Sequence, residues 1–342
     1  MWAELAVAAF KVVLAATIVL TSVPIMVWVE RRGAAMIQDR LGPNRVGPLG
    51  LLQPVIDVVK LLFKEHVTPA SVHRGLYVLA PILSLFIAMV TFIVIPFGAG
   101  GDVTLLGVPL GGFTPAAGLD VGVLFLLAIG SLGVYGIVLA GWSSNNKYSL
   151  LGGLRSSAQL ISYELAMTVS VLGVLLATGS LRLDDVVAHQ QQTVWNIVPQ
   201  AVGFLTFIIA AFAETNRLPF DLAEAETELV AGYHVEYSSM KFAAFFMAEY
   251  MNMFTASALA VTLFLGGWSL PGVHLAGWLG LAVSMAVFLA KVGFFLFLFV
   301  WVRWSLPRFR YDQLMGLGWK GLLPLATLNL VWVGVAMSQG WL

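Results

Sequence analysis

At 342 residues the chain is long enough for about two soluble domains, yet 59% of it is hydrophobic, 11% is charged, and its mean hydropathy is +0.90. Eighteen basic and eighteen acidic residues cancel, and cysteine is absent, which excludes disulfides, thiolate zinc sites and cysteine-ligated iron–sulfur clusters. The histidines His66, His73, His189, His234 and His274 are scattered without H-x-x-x-H spacing, so this chain is expected to bind no metal and any redox metal belongs to a partner.

Repeated apolar runs of about twenty residues make lipid the expected solvent. Eight segments can cross a hydrocarbon core of about 30 Å, at roughly 5–29, 76–97, 119–142, 155–178, 195–214, 240–266, 275–303 and 321–341. The expected fold is an all-α polytopic membrane protein, a single membrane domain over residues 1–342 with eight transmembrane helices. The first apolar run continues to Trp28 without an A-x-A cleavage site, so it is expected to remain as a spanning helix rather than act as a signal peptide.

Basic residues set the orientation. Arg31, Arg32, Arg40, Arg45, Lys60, Lys64, Arg74, Lys147, Arg155, Arg217, Lys241, Arg303, Arg308, Arg310 and Lys320 lie in or beside the loops after spans one, three, five and seven. The other side has only Arg182, while Lys11 and Lys291 fall within spans. The bias predicts cytoplasmic odd-numbered loops and periplasmic termini. The lack of a transit peptide and the Ala/Gly/Val-rich composition point to a bacterial inner (plasma) membrane.

The first cytoplasmic loop begins at Glu30-Arg31-Arg32 and runs through Arg40-Leu41-Gly42-Pro43-Asn44-Arg45-Val46-Gly47-Pro48, a folded, arginine-rich elbow whose Gly, Pro and Asn favour turns. Leu51, Leu52, Val55, Ile56, Val59, Leu62 and Phe63 then recur on one helical face, opposite Gln53, Asp57, Lys60 and Lys64. At about fourteen residues this amphipathic helix is too short to span and should lie in the interface. Asp57 distinguishes it from a purely basic membrane anchor. The next loop, Gly98 to Ala117, reads only as a compact Gly/Pro-rich turn.

Glu164 lies nine residues past Arg155 and Glu249 eight past Lys241, depths of roughly 13 and 12 Å at the helical rise. Lys291 sits well inside the seventh span. Ionisable groups at such depths are expensive unless paired, neutralised or hydrated. Each alone could be a helix–helix hydrogen bond; the three together point to a polar pathway.

Between spans five and six, Glu214, Asp221, Glu224, Glu226, Glu228 and Glu236 supply six of the chain's eighteen carboxylates. Asp221 and Glu224 have capping-box spacing for a short acidic helix that would end near Gly232. Leu222, Ala225 and Leu229 would share one face, with Asp221, Glu224 and Glu228 beside it. Such a face can simply be solvated, but these acids continue into the membrane groups. Packed carboxylates also raise one another's pKa, so a charge change at one would propagate. Gly316-Leu317-Gly318-Trp319-Lys320-Gly321 matches G-x-G-x-x-G but lacks the strand before it that a dinucleotide site needs.

Several stretches together resemble the H subunit of the proton-pumping NADH–quinone oxidoreductase, respiratory complex I, the counterpart of the first mitochondrial ND subunit. They are Glu30-Arg31-Arg32, Arg40 to Pro48, Gln53-Pro54 with Asp57 and Lys60, Ala158 to Glu164, Ala213 to Glu224 onward, Phe246 to Tyr250, and Pro307 to Met315. Their order matches the family's and they cover nearly the whole chain; Ala225 stands where many members have Gly. The resemblance implies a quinone passage lined or shaped by Arg31, Arg40, Asp57 and Phe220. It implies that Glu214, Arg217, Asp221, Glu224, Glu226 and Glu228 form the loop that responds to quinone reduction, and that Glu164 and Glu249 lead towards antiporter-like subunits. No residue of the chain is expected to catalyse redox chemistry: quinone is the substrate, and NADH, FMN and Fe–S clusters belong to partner subunits. Expected partners are the hydrophilic quinone-site and Fe–S subunits, small membrane subunits and lipid, with no nucleic acid.

Two alternatives make different demands. The membrane anchor of a related hydrogenase or ferredoxin-linked complex would co-purify with its own electron-transfer subunits. A stand-alone proton-coupled transporter would show inverted repeats, and none is evident.

Overall fold

The computed structural model describes residues 2–99, 103–105, 107–110, 113–116, 119–223, 230–270 and 277–341. Among them the chain is helical apart from turns and one small hairpin. The main elements are α1 (Trp2–Ile37), α2 (Gln53–Phe63), α3 (Arg74–Thr91), α4 (Gly122–Ser143), α5 (Lys147–Thr178), α6 (Leu183–Gln192), α7 (Ala201–Glu214), α8 (Ser239–Phe264), α9 (Gly277–Ser305) and α10 (Tyr311–Ser338).

Six of these, α1, α3, α4, α5, α9 and α10, are long and apolar enough to cross a membrane. The remaining expected spans correspond to α7 and α8. The 14 residues of α7 extend only about 21 Å, because its start is delayed: Pro199 interrupts the segment, whose first residues are tied to the end of α8 through Ile197 N–H to Phe264 O (3.0 Å) and Asn196 Nδ2 to Leu263 O (2.8 Å). Helix α8 has 26 residues, 17 of them buried. It packs against α1, α2, α3, α7 and α9. A helix enclosed by other helices does not need the hydropathy of a lipid-facing one, which is why α8 can carry Lys241, Glu249 and Asn252.

Other boundaries also differ from the sequence reading. Helix α1 continues through Arg31 and Arg32 to Ile37, α5 starts at Lys147, and α10 starts at Tyr311. The glycine-containing run expected to be a false nucleotide motif is a π-helical turn, Leu317–Leu322, within α10. There Gly318 lets α10 approach Tyr163: a Cβ would lie 3.3 Å from the ring.

Along α1 the buried positions Lys11, Ala15, Val19, Val23, Met26, Glu30 and Ala34 recur every three or four residues, the spacing of one helical face. That stripe carries a buried cation near one end and a buried carboxylate near the other. Helix α2 has 11 residues rather than about fourteen, with Pro54 tolerated in its first turn. Its apolar side is uncovered, from Ile56 at 37% exposure to Phe63 at 87%.

Two elements of the opposite end were not anticipated. Helix α6 follows α5, and strands β1 (Thr104–Leu105) and β2 (Val108–Pro109) pair antiparallel within the loop between α3 and α4.

Candidate functional site

The loop leaving α7 brings Arg217 into the bundle, where it is 3% exposed. Its Nε lies 2.6 Å from Glu249 Oε1 on α8, an ion contact outside hydrogen-bond geometry, and its Nη1 donates to Glu30 Oε2 at 3.5 Å. The guanidinium lies over the Tyr250 ring, 4.4 Å from the centroid. Tyr250 Oη donates to Glu30 Oε2 at 2.6 Å, and Arg303 on α9 donates to Glu30 Oε1. Burial acts to lower the Arg217 pKa, but Glu249, Tyr250 and Glu30 outweigh it and hold the group above its ordinary value. Arg217 is therefore a fixed cation between Glu30 and Glu249, and α1, α8 and α9 meet around it.

A polar clamp holds the same loop to α5. Fully buried Gln159 donates through Nε2 to Ala213 O (2.6 Å) and to Phe220 O (2.7 Å), so one amide fixes both sides of the turn carrying Arg217. Phe220 packs between Tyr163 and Phe309, with ring centroids 5.5 and 5.4 Å away. Tyr163 Oη donates to Leu314 O at 2.8 Å, and Phe309 N–H donates to Pro219 O at 3.1 Å. Asp221 is 6% exposed and pairs with Arg308 Nη2 at 2.9 Å.

Glu164, Glu214 and Glu249 line a common cavity of ≈ 100 Å³, together with Asn216, Asn252 and the hydroxyl residues Thr91 and Thr255. That volume admits several waters, each needing about 10–15 Å³. Ser131 on α4 donates to Glu164, and the Glu214 carboxylate faces Gly130 of the same helix. Carboxylates from α5, α7 and α8 thus share one polar space inside an apolar bundle.

The remaining expected site residues divide. Arg31 Nη1 and Asp57 Oδ2 pair at 2.5 Å, joining α1 to α2, and Gln53 Nε2 donates to Asp57 at 3.0 Å. Arg40 is exposed and donates to Gln38 (2.8 Å), apart from that pair. Lys291 is not brought to the acid cavity. It donates to the carbonyls of Leu265, Gly267 and Ser269 at 2.7–2.9 Å, 4.6 Å from the Trp195 ring, and so caps the end of α8. Glu224, Glu226 and Glu228, with most of the expected acidic helix, lie outside the described residues. Gly232, its expected end, has φ +59° and opens a short 3₁₀ turn.

Sequence reasoning missed Glu30, Tyr250, Arg303 and Gln159 as members of the site. Glu30 had a signal: it interrupts the apolar positions of the α1 stripe.

The family model for NADH dehydrogenase matches residues 10–334. The chain is 49% identical to the H subunit of NADH-quinone oxidoreductase from Leptospira biflexa, over 100% of this chain and 98% of that protein. It is 50% identical to NADH-quinone oxidoreductase subunit 8 of Rhodothermus marinus, over 93% and 94% of the two chains. The figure for the H subunit from Protochlamydia amoebophila is 52%, over 91% of each.

Proposed function

This chain belongs to the family of NADH–quinone oxidoreductase H subunits, membrane components of respiratory complex I, and on that premise we propose that it forms the quinone passage and couples quinone reduction to proton movement. The observation that carries the proposal is the placement of Arg217 between Glu30 and Glu249, with Glu249 also on the wall of the cavity shared by Glu164 and Glu214.

In this reading quinone enters beside α1 and α2, near Arg31 and Asp57, with Arg40 at the exposed margin. Arg217 and Phe220 shape the inner end. Negative charge developing on a quinone near Arg217 competes with Glu249 for the guanidinium. As Glu249 loses its partner, its proton affinity rises, and a proton drawn from the cavity alters the charge felt by Glu214 and Glu164. Asp221, Glu224, Glu226 and Glu228 would extend this response along the acidic loop. Electrons arrive from NADH through FMN and Fe–S clusters held by hydrophilic partner subunits, and small membrane subunits take up the proton route beyond Glu164. Lys291 is left out of the route and serves as an anchor for α8.

The proposed topology has eight spans in a bacterial inner membrane, with α7 and α8 completing the six, cytoplasmic odd-numbered loops and periplasmic termini. Glu214→Gln in the assembled complex tests the coupling. NADH-driven proton uptake into proteoliposomes should fall relative to quinone reduction; unchanged quinone reduction with unchanged pumping would refute it.

A further inference from the structure

The cavity stops at an apolar layer. Beyond Thr91 and Thr255 its wall ends in the apolar side chains of Leu126, Leu127 and Leu259, and Phe92, directly after Thr91, is 2% exposed. The loop between α3 and α4 then folds under this level. Its Phe97 meets Phe288 edge-on at 5.6 Å and lies 6.5 Å from Phe254. Ile95, Val103, Leu110 and Phe113 of the same loop are all at most 3% exposed. Backbone bonds knit the loop to itself: Phe97 N–H to Phe113 O (3.0 Å), Phe113 N–H to Gly98 O (2.8 Å) and Leu110 N–H to Val103 O (2.7 Å).

Polar side chains from three helices fix this layer. Lys11, 5% exposed on the α1 stripe, donates to Leu110 O. Thr114 Oγ1 donates to Asp184 Oδ1 of α6 at 3.0 Å, and Ala99 N–H donates to Ser284 Oγ of α9 at 3.0 Å. A buried ammonium is expensive and is kept only where something offsets it. Here it grips a backbone carbonyl of the loop, near the charge of Asp184.

We propose that Phe97, Leu110 and Phe113 of the loop between α3 and α4 form a proton seal that closes the acid cavity from the opposite membrane face, with Lys11 as its bolt. The inference rests on reading that cavity as part of a proton route. A dry apolar layer holds no chain of waters, so protons that reach Glu164, Glu214 and Glu249 cannot run through this chain to the far side. They must leave laterally, and no leak short-circuits the pump.

The test is passive leak, measured without NADH so that it does not depend on quinone chemistry. Assembled complex carrying Lys11→Met or Phe97→Ser is placed in proteoliposomes, an imposed pH difference is followed with a trapped dye, and quinone reductase activity is assayed in detergent. The seal predicts a severalfold faster collapse of the pH difference with an unchanged detergent activity. Collapse at the parent rate in an assembled, active variant would overturn it. So would failure of both variants to assemble, since the loop would then be part of the folding core, or a loss of pumping without leak, which would make these residues part of a conducting route.

Discussion

Arg217 Nε approaches Glu249 Oε1 to 2.6 Å while Arg217 Nη1 stays 3.5 Å from Glu30 Oε2, so a single buried cation serves carboxylates on α8 and α1 at unequal distances. Removing it breaks the pair with Glu249 and leaves Glu30 to the charge of Arg303 alone, and breaking a buried pair in this way is destabilising by about 3–5 kcal/mol. Arg217→Met is therefore expected to abolish assembly of the complex on native gels. Arg217→Lys keeps the charge but loses the planar fork that reaches both partners; it should assemble and show depressed quinone reductase activity. Normal activity in Arg217→Lys would show that the fork is not needed.

Much of this arrangement was legible in the sequence. The 3.6-residue pattern found α2 and the cost of intramembrane charge picked out Glu164 and Glu249, because both signals are local to one helix. The role of Glu30 was not legible: its partners Arg217, Tyr250 and Arg303 lie 187, 220 and 273 residues away, and only helix packing brings them together. Lys291 shows the converse. Its depth in the sequence suggested a place in the proton pathway, but Gly266 and Gly267, at φ +69° and +54°, turn the chain after α8 so that carbonyls converge on the amine instead. The gap of Pro199 was visible but competed with an otherwise continuous apolar run, so the shortness of α7 was missed.

Gln159 gives a sharper test of positioning than the charged residues do. Gln159→Leu preserves volume but withdraws the side-chain donor from Ala213 O and Phe220 O, which keep only the backbone bonds from Asn216 N–H (3.3 Å) and Leu222 N–H (3.1 Å), and each hydrogen bond lost is worth about 0.5–1.5 kcal/mol. The turn holding Arg217 should loosen while every charge remains. The expected outcome is an assembled complex with a lower thermal midpoint and a reduced ratio of protons pumped to NADH oxidised. An unchanged ratio would assign Gln159 to stability alone.

The Arg31–Asp57 pair should behave differently from the buried cluster. Its side chains are 47% and 26% exposed, and exposed pairs contribute about 0–1 kcal/mol. Asp57→Asn is therefore expected to leave the thermal midpoint nearly unchanged. If the pair shapes the quinone passage, the variant should raise the KM for a short-chain quinone more than it lowers kcat. Equal KM values for parent and variant would remove Asp57 from the passage.

His234 supplies a pH test of the return from the acidic loop. Its ring is 7% exposed, set among Tyr233, Phe242 and Phe246 at centroid distances of 5.1, 5.3 and 6.0 Å. Burial pushes its pKa down from 6.5 to about 4. A histidine depressed in the folded state favours folding fully above its unfolded pKa, and that contribution is lost as pH falls from 6.5 towards about 4. The full window is worth about 3 kcal/mol at 1.36 kcal/mol per pH unit. His234→Phe retains the ring packing without a titrating group. The difference in thermal midpoint between parent and His234→Phe should be constant above neutrality and move in favour of the variant as the buffer is acidified from pH 6.5. A difference independent of pH would mean that the ring is hydrated in the assembled complex rather than enclosed by its aromatic neighbours.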